Sequence, residues 1–273
     1  MRAQRVLPVL GWLLAFNVTH AAEKAAPLAI GETFTLQSQV LNETRRINVY
    51  LPPGYAEAPD LRFPVLYMPD GGLAEDFLHI AGLVQVCVGN GTMRPFVLVG
   101  IENTERRRDL TGPTQNQEDK KIAPRVGGSA AFRKFLRDEL MPDVQARYRT
   151  TEETAIVGES LAGLFVIETF MLEPDLFDSY IAIDPSLWWN DGALAKSAAE
   201  RLRALPRMDN KWLWFASSSE ERGDGAERLF AVLQASTSPH GLLWRFERFP
   251  AEKHSTIYHP AALMAFRVVL GPR

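Results

Sequence analysis

Ser160 stands at the centre of a stretch whose residue types suit nucleophilic chemistry. An apolar, β-branched run from Thr154 to Val157 stops at Gly158, Ser160 follows, and a helix-forming run from Leu161 to Leu172 begins at once. The spacing predicts a strand, a tight turn and a helix with the serine at the apex. In such a turn the serine backbone is strained, and its neighbours must be small so that strand and helix can approach. Gly158, Ala162 and Gly163 meet that demand. The helix would bring its free N–H groups and positive dipole end beside the hydroxyl, where an oxyanion would form. The plainer reading is a strand-to-helix turn whose serine caps the helix. The nucleophilic reading also requires an acid and then a histidine further along the chain.

The elements that would position such a site can be read from hydrophobic patterning. Thr33–Leu41 and Arg45–Leu51 alternate polar and apolar residues around Asn42 and Glu43, as a two-stranded hairpin does. Phe63–Met68, Phe96–Ile101 and Ser179–Ile183 are short apolar runs suited to strands buried on both faces. Lys211–Ala216 and Leu242–Phe249 read as the last two strands. Helices are expected over Ala74–Val88, Ser129–Tyr148, Leu161–Leu172, Gly192–Leu205, Ala226–Ala235 and Pro260–Leu270. Asn103 to Val126 is the one long polar loop. Strands and helices alternate from Phe63 onwards, which predicts an α/β fold. Its twisted sheet would be mainly parallel, with helices on both faces and the hairpin as an antiparallel edge.

The 273 residues are 46% hydrophobic, enough for one large core, and a formal net charge of -3 gives no case for nucleic acid or an anionic membrane surface as partner. Arg2 and Arg5 precede an apolar stretch from Val6 to Val18, and small residues end at Ala21. Residues 1–21 therefore read as a cleavable signal peptide, too short to span a membrane, with a retained anchor as the alternative, and 22–273 as a single domain delivered to the periplasm or beyond. Cys87 is the single cysteine, so no intramolecular disulfide forms; its apolar neighbours place it in the core. No metal-ligand cluster and no phosphate-cradling glycine loop is visible, so no cofactor or metal is implied.

With these elements in this order, the chain resembles the α/β-hydrolase fold. More closely it resembles the putative-esterase family that includes esterase D, feruloyl esterases, mycolyltransferases and the siderophore esterases that cut enterobactin and salmochelin. The resemblance runs from about Thr33 to the C-terminus. It is carried by Asn48 to Pro52 with Gly54 and Tyr55, Leu66 to Gly72, Gly158 to Ser160, Pro185 to Trp189, and His254 with Ser255. Ala162 departs from the usual glycine by one methyl group.

The resemblance implies a triad in the chain order serine, acid, histidine, each on a loop at the C-terminal end of a strand. His254, just after the last strand, takes the place of the base. His79 lies inside the first helix, His240 in a turn, and His259 beside Pro260 suits a cap of the final helix. The acid has three candidates. Glu220 is preferred by the family's register, Glu221 adjoins it, and Asp184 lies one strand earlier. Each has a plainer reading: a solvated helix lead-in for the glutamates, a loop-capping carboxylate before Pro185 for the aspartate. The oxyanion would be held by the backbone N–H of Leu161 and by that of Gly72 or Leu73. Arg106 and Arg107, with Arg108, would bind an anionic or ferric catecholate part of a substrate, or else form a solvated loop paired with Glu105 and Asp109. Trp188 and Trp189 would line an aromatic pocket or pack in the core. The activity implied is serine-dependent cleavage of carboxylic esters through an acyl-enzyme. A siderophore trilactone esterase and an acyltransferase are the variants, and a non-catalytic binding protein on a hydrolase fold is the rival.

Overall fold

Residues 25–235 and 241–272 are described by the structure, a computed structural model. The expected signal peptide and His240 lie outside the described residues. The apolar runs form strands, and the alternating ones form the edge. Strands β1 (Glu32–Ser38) and β2 (Glu43–Tyr50) make the antiparallel hairpin, with Phe34 opposite Ile47. Strand β2 then pairs antiparallel with β4 (Val97–Ile101), whose other edge runs parallel to β3 (Phe63–Pro69). The sheet continues in parallel through β5 (Thr150–Glu159), β6 (Ser179–Ile183), β7 (Trp212–Ser218) and β8 (Leu243–Phe249). Among the described residues this is one eight-stranded sheet in the order β1-β2-β4-β3-β5-β6-β7-β8.

The strands β4 and β6 are buried at every residue, because helices cover both faces of the sheet. One face carries α1 (Phe77–Gly89) and α10 (Tyr258–Val269), where Ile80, Val84, Ala261 and Phe266 pack over Leu66, Val157 and Trp214. The other carries α6 (Leu161–Leu172), α8 (Ala198–Ala204), α9 (Gly225–Ala235) and the helical segment from Ser129, with Phe132, Phe165, Phe170 and Phe215 in its core. Cys87 is buried and free.

Four expected elements differ in detail. The segment read as one helix over Ser129–Tyr148 is α4 (Ser129–Phe135), a π-helical turn (Leu136–Leu140) and α5 (Met141–Arg147). Pro142 has no N–H for the preceding turn and its ring crowds the carbonyl there, which a widened turn relieves. The helix expected over Gly192–Leu205 is divided into α7 (Trp189–Lys196) and α8, and Asn190, Asp191 and Gly192 adopt left-handed φ of 51°, 55° and 74°. Those three residue types tolerate that region best. The long polar loop contains two short helices, α2 (Arg106–Asp109) and α3 (Gln117–Lys121). Finally, α10 starts before Pro260, which the first helical turn accepts. His259 therefore lies inside the helix and caps nothing; its ring meets that of His79 at 4.5 Å between centroids.

Candidate active site

The turn between β5 and α6 is strained, and close packing holds it. Ser160 has φ 60° and ψ −118°, a conformation that costs about 1–3 kcal/mol for a residue with a side chain and persists only where its surroundings impose it. A Cβ on Gly158 would lie 2.6 Å from the Ala162 carbonyl carbon, so only glycine lets β5 and α6 approach this closely. The Ser160 N–H donates to the Ile183 carbonyl at 3.0 Å, and its own carbonyl accepts from Leu164 at 2.9 Å and Ser186 at 3.0 Å. The hydroxyl makes no helix-capping bond, which removes the plainer reading of this serine.

The hydroxyl instead faces an imidazole. Ser160 Oγ lies 3.1 Å from His254 Nε2, and His254 Nδ1 lies 2.6 Å from Asp184 Oδ2. With Nδ1–H donating to the carboxylate, Nε2 is left to accept the serine proton. Three strand ends bring these groups together: Ser160 follows β5, Asp184 follows β6 in a left-handed conformation (φ 43°), and His254 follows β8. This is the crevice beyond the carboxyl ends of a parallel sheet, where such folds place their sites. The loop bearing His254 is pinned to the end of β7, since both the N–H and the hydroxyl of Ser219 donate to the Glu252 carbonyl at 2.9 and 2.8 Å.

The carboxylate on the imidazole is thus Asp184, not the preferred Glu220. Asp184 also accepts from the N–H and hydroxyl of Ser218 at 2.7 and 2.8 Å. Burial would push its carboxyl up, but the bonds from His254 and Ser218 outweigh that and hold it below the usual aspartate range. The same bond raises the His254 pKa above the ordinary histidine value; burial opposes the rise and the nearby Glu159 reinforces it. Glu220 is half-exposed on the rim, 3.5 Å from Lys253 Nζ. Glu221 accepts the Ala226 N–H at 2.7 Å near the start of α9, the ordinary role of a helix lead-in.

The other expected groups divide. The Leu161 N–H stands in the first turn of α6, directly after Ser160. The Gly72 N–H is spent on Glu75 Oε2 at 2.7 Å, so this arrangement takes it away as an oxyanion donor. Neighbouring Leu73 is half-exposed. Arg106 clamps Asp70 with two parallel bonds of 2.7 and 2.8 Å, Arg107 donates to the Ile122 carbonyl, and Arg108 is shared among Glu43, Glu105 and Asp109. The arginine loop is therefore largely engaged within the fold. Trp189 is buried with its Nε1–H donating to the Gly112 carbonyl at 2.9 Å, a packing role. Trp188 lines a cleft of about 260 Å³ that opens onto Ser160, Asp184 and His254. Arg222 lies over the Trp188 ring at 4.5 Å, and the pair also borders a second cleft of about 310 Å³. Among the described residues no cluster of three or more histidine, cysteine or acidic side chains could hold a metal ion, and no helix is long and apolar enough to cross a membrane.

Sequence reasoning passed over three of these groups. Ser186 Oγ is buried 3.4 Å from Ser160 Oγ. Arg222 gave no signal beyond its charge. Glu159 had one: a charged residue closing an apolar strand. Its Oε1 lies 3.4 Å from His254 Nε2, and its side chain is only 15% exposed. Burial pushes its carboxyl up to about 7, although His254 and Arg106 pull in the opposite direction.

Comparison with known proteins places this chain among esterases. The family model described as "Putative esterase" matches residues 38–255. The ferri-bacillibactin esterase BesA of Bacillus subtilis is 28% identical over 256 residues, which cover 85% of this chain and 87% of that protein. A siderophore triacetylfusarinine C esterase of Aspergillus fumigatus is 39% identical over 185 residues, 60% of this chain and 58% of its own. Among solved structures, an IroE-like serine hydrolase from Shewanella oneidensis superposes with a TM-score of 0.77 at 29% identity, covering 88% of this chain and 80% of the other.

Proposed function

We propose, on the premise that this chain belongs to the putative-esterase family, that Ser160 is the nucleophile of a serine-type carboxylic ester hydrolase, with His254 as base and Asp184 as its partner. The observation that carries these roles is the unbroken relay from Ser160 Oγ to His254 Nε2 at 3.1 Å and from Nδ1 to Asp184 at 2.6 Å. His254 takes the serine proton as Oγ attacks the ester carbonyl, and the ionised Asp184 steadies the imidazolium. The Leu161 N–H receives the developing oxyanion, with the Leu73 N–H as the proposed second donor. His254 then protonates the leaving alkoxide. A water that gives its proton to the same nitrogen releases the acid.

For the substrate we propose a multi-armed siderophore ester of the trilactone type. The relatives' named substrates support this class. So does the shape of the site: a cleft of about 260 Å³ takes one arm of such a molecule, and the Trp188–Arg222 stack separates it from a second cleft of about 310 Å³ for another. A planar, anionic arm suits an aromatic face with a guanidinium over it. Residues 1–21 support export.

One experiment tests the whole reading. The protein is expressed with its own N-terminus in a Gram-negative host, recovered from the periplasm and assayed on p-nitrophenyl esters, a feruloyl ester and apo and ferric enterobactin. A chain starting at Ala22 that cleaves the trilactone fastest, with at least about 10³-fold loss in Ser160→Ala, is the expected result. Turnover confined to simple esters would overturn the substrate, and undiminished turnover by Ser160→Ala would overturn the mechanism.

A further inference from the structure

Two carboxylates face the imidazole of His254, from opposite sides. Asp184 Oδ2 is 2.6 Å from Nδ1, the usual place for a triad acid, and Glu159 Oε1 is 3.4 Å from Nε2, the nitrogen that must work on the serine proton. Among the described residues, the Glu159 side chain has no hydrogen-bond or ion-pair partner other than His254. A largely buried carboxylate so held acts mainly on what it touches.

Its position is fixed by the element that carries the nucleophile. Glu159 is the last residue of β5, paired with Ile183 of β6, and Ser160 follows it directly. The charged groups acting on it come from every side: His254 from the loop after β8, Arg106 from α2, Asp184 from the loop after β6, and Asp76 from the start of α1. Arg106 is itself neutralised by its two hydrogen bonds to the Asp70 carboxylate, so its pull on Glu159 is reduced. Tyr258, from α10, brings a buried hydroxyl that has no hydrogen-bond partner among the described residues.

We propose that Glu159 is a second catalytic carboxylate: ionised, it stabilises the proton that His254 Nε2 takes from Ser160, so it strengthens the base and also confines its action to higher pH. This rests on the assignment of Ser160 and His254 above. The two effects have one cause. A negative charge beside Nε2 favours the imidazolium, which lowers the barrier to proton transfer in the transition state. The same charge keeps the resting imidazole protonated to a higher pH, where it cannot accept a proton. Raising the carboxyl of Glu159 to about 7 places its ionisation in the range where the switch between these states occurs. The pair then titrates as a unit, and the acid limb of the rate profile belongs to both groups.

The test is Glu159→Gln, with the pH profile of kcat/KM and the His254 titration followed by NMR, its Cε1–H signal identified by its loss in His254→Ala. Removing the charge should move the acid limb and the His254 titration to lower pH by about half a unit to one unit. The alkaline plateau should fall by about three- to tenfold, since one pKa unit is a factor of ten. If Glu159→Gln does not fold, Glu159→Asp, which withdraws the charge by one methylene, should give a smaller shift in the same direction. An acid limb and a His254 titration that stay in place would overturn the proposal, as would a loss of rate without a shift. Absence of any Ser160-dependent ester turnover in the parent protein would instead remove the esterase reading. The NMR titration, which needs no substrate, would still decide whether Glu159 acts on His254.

Discussion

Asp184 and Glu220 follow neighbouring strands of the sheet, yet only one of them reaches the imidazole. Asp184 leaves β6 with φ 43°, which turns its carboxylate inward under His254, while Glu220 stays on the rim with Lys253. Aspartate tolerates the left-handed region better than most residues, which suits it to that corner. Nothing in the stretch Ile183-Asp184-Pro185 announces this, because a carboxylate before proline reads equally well as loop chemistry. Ser160 and His254 were legible for the opposite reason: small residues at fixed offsets and a loop after the last strand constrain them locally. The assignment makes a direct comparison. Asp184→Asn should reduce kcat by about 10³–10⁴-fold, because the amide no longer favours the correct tautomer or the charged imidazole. Glu220→Gln should stay within about threefold of the parent. Steady-state kinetics on a p-nitrophenyl ester near pH 8 decides, and the reverse ranking would return the acid to Glu220.

The strand–turn–helix unit shows how far local sequence carries an element. Gly158, Ala162 and Gly163 mark the close approach of β5 and α6 in the sequence itself, and the structure puts the contact at Gly158 against Ala162. The π turn and the kink at Asn190, Asp191 and Gly192 inside α7 were not legible: Pro142 fits a continuous helix as a tolerated exception, and patterning starts the next helix only at Gly192. Their geometry depends on what each segment packs against. At Gly158 the outcome can be stated in advance. An added Cβ would sit 2.6 and 2.7 Å from the Ala162 carbonyl carbon and Cβ, so α6 must move away from β5 and carry the Leu161 N–H with it. Gly158→Ala should lower stability by about 1–3 kcal/mol in urea unfolding. It should lower kcat at least about tenfold, because the oxyanion donor and the serine are displaced together. Full activity in this variant would mean that the turn between β5 and α6 has slack that its packing does not suggest.

At the scale of the molecule, alternation of strands and helices predicted the parallel sheet and its antiparallel hairpin, but not the strand order. That order depends on which face each crossover takes, and the hairpin's attachment through β2 to β4 is a long-range choice. What locks it is charge as well as packing. Arg45 of β2 is almost fully buried, with Nη2 2.7 Å from Asp109 Oδ2 and Nη1 3.0 Å from Glu43, and its guanidinium lies 5.1 Å from the Phe132 ring. Arg108 reaches the same two carboxylates, so one arginine of the run expected at the substrate instead rivets the hairpin to α2. Removing one carboxylate from such a buried network leaves its two guanidinium groups with Glu43 as their shared counter-charge, at a cost of about 3 kcal/mol. Asp109→Asn should therefore lower Tm by about 6–12 °C in a domain of this size. The triad comes from the ends of β5, β6 and β8, on the other half of the sheet. The folded fraction at 20 °C should thus keep kcat within about twofold, since well-separated sites act independently. Thermal unfolding by circular dichroism beside kcat measures both. An unchanged Tm would show that the rivet is dispensable. A fall in kcat matching the fall in stability would show instead that the hairpin edge and the catalytic edge are coupled through the sheet.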